Sequence, residues 1–229
     1  MIAIIGALQI EIDPLCEKME NLRERTCFGQ IFYEGNLLGH PVVLTRCGIG
    51  KVNAGRTAQL LISEYQPSCI INTGVAGCVS ASLLPGWVVI ADKLAQHDMD
   101  TTPCGDPLGY MPCIDGVFFP SDTRLCQQLF DAAQHATNGN ACMGTIVSGD
   151  QFIADSAKTR AFHEQFGAAA VDMESAAIAQ VCHLCGIAFA ALRTMSDKAD
   201  SEGAQDFATL AQITAENSCN IILAYLHSL

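Results

Sequence analysis

Three carboxylates recur where apolar runs of this chain end. Glu11 follows the run 2–6, and Glu174 lies in Val171-Asp172-Met173-Glu174-Ser175, between a strand-like run (168–171) and a helix-like run (176–184). Asp197 follows the run 188–192 and the segment Arg193-Thr194-Met195-Ser196. In open α/β sheets, ligands bind where strands hand over to helices, so each of these acids is placed to touch a substrate. Glu174 taken alone reads equally well as an acid favoured by the dipole at a helix N-terminus. Three acids at three strand exits point to acid/base chemistry on a small polar molecule, not to a dinucleotide or metal-phosphate site.

Other candidate motifs carry less. Gly48-Ile49-Gly50-Lys51 is followed by Val52, with Thr45 where a Walker loop needs its first glycine, and Gly6 belongs to no GxGxxG. Neither an ATP cradle nor a Rossmann fingerprint is present. Asn72-Thr73-Gly74-Val75-Ala76-Gly77 follows a strand-like run and reads either as a close backbone approach to a ligand or as an ordinary tight turn. His97-Asp98-Met99-Asp100 has metal-ligand residue types but no further ligand set, and Cys182-His183-Leu184-Cys185 is the sole CxxC, so no metal is expected. Phe152 and Ile153, after Ser148-Gly149-Asp150, read either as core or as a ring offered to a flat ligand.

The elements that must position these residues are strand-like runs at 2–6, 31–34, 41–45, 69–72, 87–91, 143–147, 168–171 and 187–192. Helical periodicity lies between several of them. Ala54, Ala58, Leu61 and Ile62 form one apolar stripe; Phe207, Leu210, Ala211, Thr214, Ser218, Ile221 and Tyr225 form another. This alternation predicts a three-layer α/β/α fold around a central mixed β-sheet, mixed because 31–45 reads as a hairpin through Gly39. The irregular stretch 97–120, with four prolines and the apolar Leu108, Tyr110 and Met111, is too long for a passive connection and is expected to be an exposed binding or interface loop.

Half of the 229 residues are apolar, enough for one domain spanning 1–229 with a substantial core. A formal charge of −12 argues against nucleic acid or an anionic membrane as the main partner, since both would be repelled. No run approaches the roughly 18 to 20 apolar residues of a membrane span and no signal-like N-terminus is seen, so a cytoplasmic protein is expected. Several of the twelve cysteines, such as Cys69, Cys182 and Cys219, sit in apolar runs where a thiol behaves as a small hydrophobe.

Taken in order, Ile4-Ile5-Gly6-Ala7 with Glu11, Gly48 to Val52, Asn72 to Gly77, Ser148-Gly149-Asp150-Gln151-Phe152, Asp172-Met173-Glu174-Ser175 and Arg193 to Asp197 resemble the methylthioadenosine/S-adenosylhomocysteine nucleosidases of the nucleoside phosphorylase superfamily. The resemblance covers essentially the whole chain. It implies hydrolysis of the N-glycosidic bond between adenine and a 5'-thio-substituted ribose, without cofactor. It implies Asp197 as general acid at purine N7, Glu11 as the base that activates water, Glu174 on the ribose 2'-hydroxyl with Met173 against the sugar, and Arg193 near the water and Glu11. Phe152 would stack on adenine, backbone groups of Ile153 would read its edge, and Leu8, Ile49 and Phe207 would line the sugar and thioalkyl pocket. A homodimer with the loop 97–120 closing the neighbour's site is also implied.

Three positions depart from the resemblance: Gln9 and Ile10 leave Glu11 as the lone acid of its turn, Val75 removes a hydroxyl near the expected water, and Asp172 shortens a side chain beside the ribose contacts. A phosphate-dependent purine nucleoside phosphorylase is the nearest rival, but it places arginine after the first strand, where an acid would repel phosphate. Aminodeoxyfutalosine is a rival substrate, and a non-catalytic binding protein on the same fold is disfavoured by the presence of Glu11, Glu174 and Asp197 together.

Overall fold

The computed structural model describes residues 1–197, 199 and 203–229, without the side chains of 203–209, 211 and 213. Strand β1 (Ile2–Gly6) lies between two parallel neighbours, β4 (His40–Arg46) and β5 (Cys69–Cys78). The expected hairpin is β3 (Gln30–Leu37) antiparallel to β4, with Leu37 opposite His40 across the turn at Gly39. Outside it lies β2 (Glu20–Cys27), absent from the sequence reading. Its residues Glu20, Arg23, Glu24 and Arg25 are solvent-facing, as suits a charged edge strand that resists pairing with other chains.

On its other side β5 runs parallel to β10 (Ala188–Asp197), and its last residues pair antiparallel with β9 (Ala168–Asp172). Strand β6 (Val88–Gln96) pairs with β10 and with β8 (Ala141–Ser148), which pairs in turn with β9. These five strands therefore close into a ring, so the ends of β5, β8, β9 and β10 converge. The short β7 (Phe119–Pro120) adds to β6.

Residues alternate between two cores on opposite faces of the sheet. Ala3, Ile5, Ile70, Val89 and Ala191 meet α2 (Lys51–Tyr65) and α5 (Ser175–Cys185). Ile2, Ile4, Ile71, Ile90 and Leu192 meet α1 (Gln9–Cys16), α3 (Thr123–Ala136) and α6 (Gly203–His227). A third cluster packs α4 (Ser156–Phe166), through Phe162 and Phe166, against Val147 and Ala168. The α2 stripe buries Ala54, Ala58 and Leu61, and that of α6 buries Thr214, Ser218, Ile221 and Tyr225. No described helix is long and apolar enough to cross a membrane.

One open reading is decided: the glycine-rich segment 72–77 is not a tight turn but continues β5, paired with Ala191 to Asp197 of β10 with a register shift between Met195 and Asp197. The expectation that the stretch 97–120 exposes Leu108, Tyr110 and Met111 needs correction, although Tyr110 is only half-buried and donates its hydroxyl to Asp115. Met111 is buried in the core and bridges to Gly116, while Leu108 packs on the third cluster beside Val117 and Phe118.

Candidate active site

A cleft of about 220 Å³ opens where β1, β5, β9 and β10 end. Its lining includes Leu8, Glu11, Ile49, Val75, Phe152, Ile153, Asp172, Met173, Glu174 and Asp197, which gathers all but two of the site residues expected from sequence. Arg193 is fully buried behind the wall. The side chain of Phe207 lies outside the described residues.

Glu11 is held by its own helix. As the third residue of α1 it turns back so that Oε2 accepts the N–H groups of Ala7 (2.6 Å) and Leu8 (2.8 Å), donors that a helix start leaves without intrahelical partners. Its Oε1 accepts from the Val75 N–H at 3.0 Å. This contact comes from the Val75 backbone and is independent of its side chain. Burial pushes the Glu11 carboxyl above the ordinary carboxylate range, against the opposing pull of the Arg193 charge and the three N–H donors.

At the far end of β5, Asp197 is held by the Ser196 hydroxyl (Oδ2, 2.7 Å) and the Ala199 N–H (Oδ1, 2.6 Å). A Cβ on Gly77 would lie 3.2 Å from Asp197 Oδ1, so this carboxyl packs directly on the strand backbone. Gly74 has the same function for the other acid. With φ of +151°, it leaves the space in which both Glu11 Oε1 and Arg193 Nη1 sit, and any side chain there would strike them. Glu174 stands at the N-cap of α5, yet its side chain caps nothing in that helix: Oε1 accepts the Gly50 N–H at 2.9 Å and Oε2 lies 3.6 Å from Arg193 Nη2. Burial raises its pKa to about 7, with Arg193 pulling it down and Asp172 adding to the rise.

Arg193 joins these acids from behind. Its Nε donates to Asp172 Oδ2 (2.7 Å), Nη2 to Asn72 Oδ1 (2.8 Å) and Nη1 to the Thr73 carbonyl (3.2 Å). Asp172 borders the cleft, but both its oxygens are engaged inward: Oδ1 accepts from the Ser148 hydroxyl and the N–H groups of Glu174 and Ser175, and Oδ2 from Arg193 and the Ser175 hydroxyl. Asn72, Ser148, Ser175 and Ser196 escaped the sequence reading as site residues. Their signal was available as small polar side chains at the ends of otherwise apolar runs.

Phe152 resolves one open reading. Its ring lines the cleft and remains 52% exposed, so it is not core, whereas Ile153 beside it is buried. Ile49 also lines the cleft and is 54% exposed. His97-Asp98-Met99-Asp100 does not gather into a metal cluster: Asp98 pairs with Lys51 and Asp100 receives the N–H and hydroxyl of Thr102. All twelve cysteines are free thiols.

Comparison with known proteins agrees with this geometry. A family profile described as the phosphorylase superfamily matches residues 1–227. The 5'-methylthioadenosine/S-adenosylhomocysteine nucleosidase of Tolumonas auensis is 38% identical over 229 residues, spanning 100% of this chain and 99% of the relative. The chain belongs to this nucleosidase family of the phosphorylase superfamily. The family's crystal structure from Neisseria meningitidis, in complex with methylthio-immucillin-A, matches with a TM-score of 0.95 at 37% identity, over 100% of this chain and 99% of that one. A futalosine hydrolase mutant of Helicobacter pylori matches with a TM-score of 0.94 at 28% identity, again over 100% and 99%. The α/β architecture with a central mixed sheet is thus that of solved nucleosidases.

Proposed function

We propose that the chain, acting as one domain, hydrolyses the N-glycosidic bond of 5'-methylthioadenosine and S-adenosylhomocysteine, releasing adenine and the thioribose product. Glu11 carries this reading: a buried carboxyl faces the cleft where a phosphorolytic enzyme would need positive charge for its anionic nucleophile. Among the described residues no Lys or Arg lines the cleft, and the nearby Arg193 is engaged by Asp172, Asn72 and Thr73.

The bond between C1' and the purine nitrogen breaks with its electron pair leaving on adenine, and positive charge develops on the ribose. Asp197 gives its proton to purine N7 so that adenine departs neutral. Glu11 takes a proton from water as the water oxygen bonds to C1'. Its burial-raised pKa makes it a better proton acceptor than an exposed glutamate. Glu11 is held at Val75 of β5 and Asp197 packs beside Gly77 of the same strand, so one strand carries both acids to the cleft. Glu174 accepts the ribose 2'-hydroxyl, with Met173 against the sugar. The Phe152 ring stacks on adenine, backbone groups of Ile153 read its edge, and Leu8, Ile49 and Phe207 line the thioalkyl end. Asp172 and Arg193 hold the acids in place from within the wall.

A second substrate, aminodeoxyfutalosine, is favoured by the likeness to futalosine hydrolase and by the exposure of Ile49 at the thioalkyl end. The working form is a cytoplasmic homodimer in methionine salvage, with the loop 97–120 bordering the neighbour's thioalkyl pocket; light scattering should report two 24.4 kDa chains. Chromatography of the protein with methylthioadenosine, S-adenosylhomocysteine, aminodeoxyfutalosine and inosine, with and without phosphate, tests the reaction. Adenine should appear from methylthioadenosine regardless of phosphate. Turnover only with phosphate, yielding a ribose 1-phosphate, would overturn the hydrolytic reading.

A further inference from the structure

The Gly50 N–H that holds Glu174 belongs to a turn whose position is fixed from three directions. The Lys51 side chain is four-fifths buried, and its Nζ lies 2.5 Å from Asp98 Oδ1, just beyond β6, and 3.1 Å from Gln96 Oε1, the last residue of β6. The other Asp98 oxygen accepts the Asp150 N–H at 3.0 Å. Asp150 Oδ1 in turn accepts the Lys51 N–H at 2.8 Å, satisfying a donor at the start of α2 from 99 residues away. The links close a ring: Lys51 side chain, Asp98, Asp150, Lys51 backbone. Gly50 has φ of +95°, and a Cβ there would stand 3.0 Å from Asp150 Oδ1, so the turn packs tightly on the ring. Gln96 Nε2 extends the connection to Gln180 Oε1 of α5 at 2.6 Å, on the helix that begins at Glu174.

The ring therefore joins two walls of the cleft. One member lies next to Gly50, the partner of Glu174, and another opens the segment 150–153 that carries Phe152 and Ile153. We propose that Lys51 and Asp98 are positioning residues: their ion pair sets where Glu174 meets the sugar relative to where Phe152 and Ile153 meet the base. This rests on the proposed nucleosidase reading, in which Glu174 holds the ribose 2'-hydroxyl. Neither residue lines the cleft, so each acts through Gly50 and Asp150.

The experiment compares methylthioadenosine with its 2'-deoxy analogue in the wild-type protein, Lys51→Met, Lys51→Arg and Asp98→Asn. Displacing the Glu174 anchor by a fraction of an ångström should lower kcat/KM for methylthioadenosine about 10- to 100-fold in Lys51→Met and Asp98→Asn. The 2'-deoxy analogue, which lacks the hydroxyl, should lose less than about a third of that factor. Lys51→Arg, which retains the charge, should recover part of the loss. Equal losses on both substrates, or unchanged kcat/KM in both Lys51→Met and Asp98→Asn, would overturn the proposal. Should Lys51→Met fold poorly, the near-isosteric Asp98→Asn gives the same comparison. Failure of the wild-type protein to release adenine would instead overturn the nucleosidase reading, which separates the two.

Discussion

The floor and the lip of the cleft are built on opposite principles. At the floor, Arg193, Asp172, Asn72 and Ser175 are fully or almost fully buried, and every charged group has a partner. At the lip, Ile49 and Phe152 leave more than half of their surface open. Burying charge is costly unless it is paired and hydrogen-bonded, so the floor must be assembled in one arrangement. The lip carries no such constraint. The floor accordingly fixes which bond is attacked and from where, while the lip selects what is attached to the sugar.

Disrupting the chemistry at the floor should have the largest effect. Glu11→Gln and Asp197→Asn should each lower kcat on the order of 100- to 10,000-fold with much smaller changes in KM, measured by steady-state adenine release. Near-wild-type turnover in either would show that the acid only caps its element. Arg193→Met should act on folding first. It leaves Asp172, Glu174 and Glu11 buried without their cation, and about 3 to 5 kcal/mol should be lost in urea titration.

Glu174 gives a smaller, pH-dependent effect. Its carboxyl is raised from 4.5 to about 7, so the folded state binds this proton more tightly than the unfolded chain does. The resulting stability is fully present below pH 4.5 and is lost as pH rises through about 7, up to about 3 kcal/mol. Glu174→Gln should flatten this part of the pH–stability curve, and an unchanged slope would place the shift elsewhere. The lip gives the smallest effect: Phe152→Ala should raise KM about 10-fold, as expected for one stacked base, with kcat and the melting temperature nearly unchanged.

Much of this contrast was legible in the sequence. Three acids at strand exits marked the floor because their spacing placed them on one edge of the sheet, and helical stripes located α2 and α6. The segment 72–77 stayed open between a turn and a close backbone approach because glycine suits both. Here it continues a strand, because only a residue without a side chain leaves room for Arg193 and Glu11. Strand β2 gave no signal since its polar face has no core to pattern it. Met111 and Leu108 looked exposed because a proline-rich loop has no periodicity; tertiary packing buries the one and shelters the other. The ring of Lys51, Asp98 and Asp150 was also hidden, since its members are 47 and 99 residues apart and only the fold brings them together.

The most direct test of the central claim is isotopic. Methylthioadenosine would be turned over in ¹⁸O-enriched water containing phosphate, and the sugar product analysed by mass spectrometry. Water activated by Glu11 predicts one heavy oxygen at C1 of the thioribose, no sugar phosphate, and the loss of this turnover in Glu11→Gln. An unlabelled thioribose 1-phosphate would contradict the account.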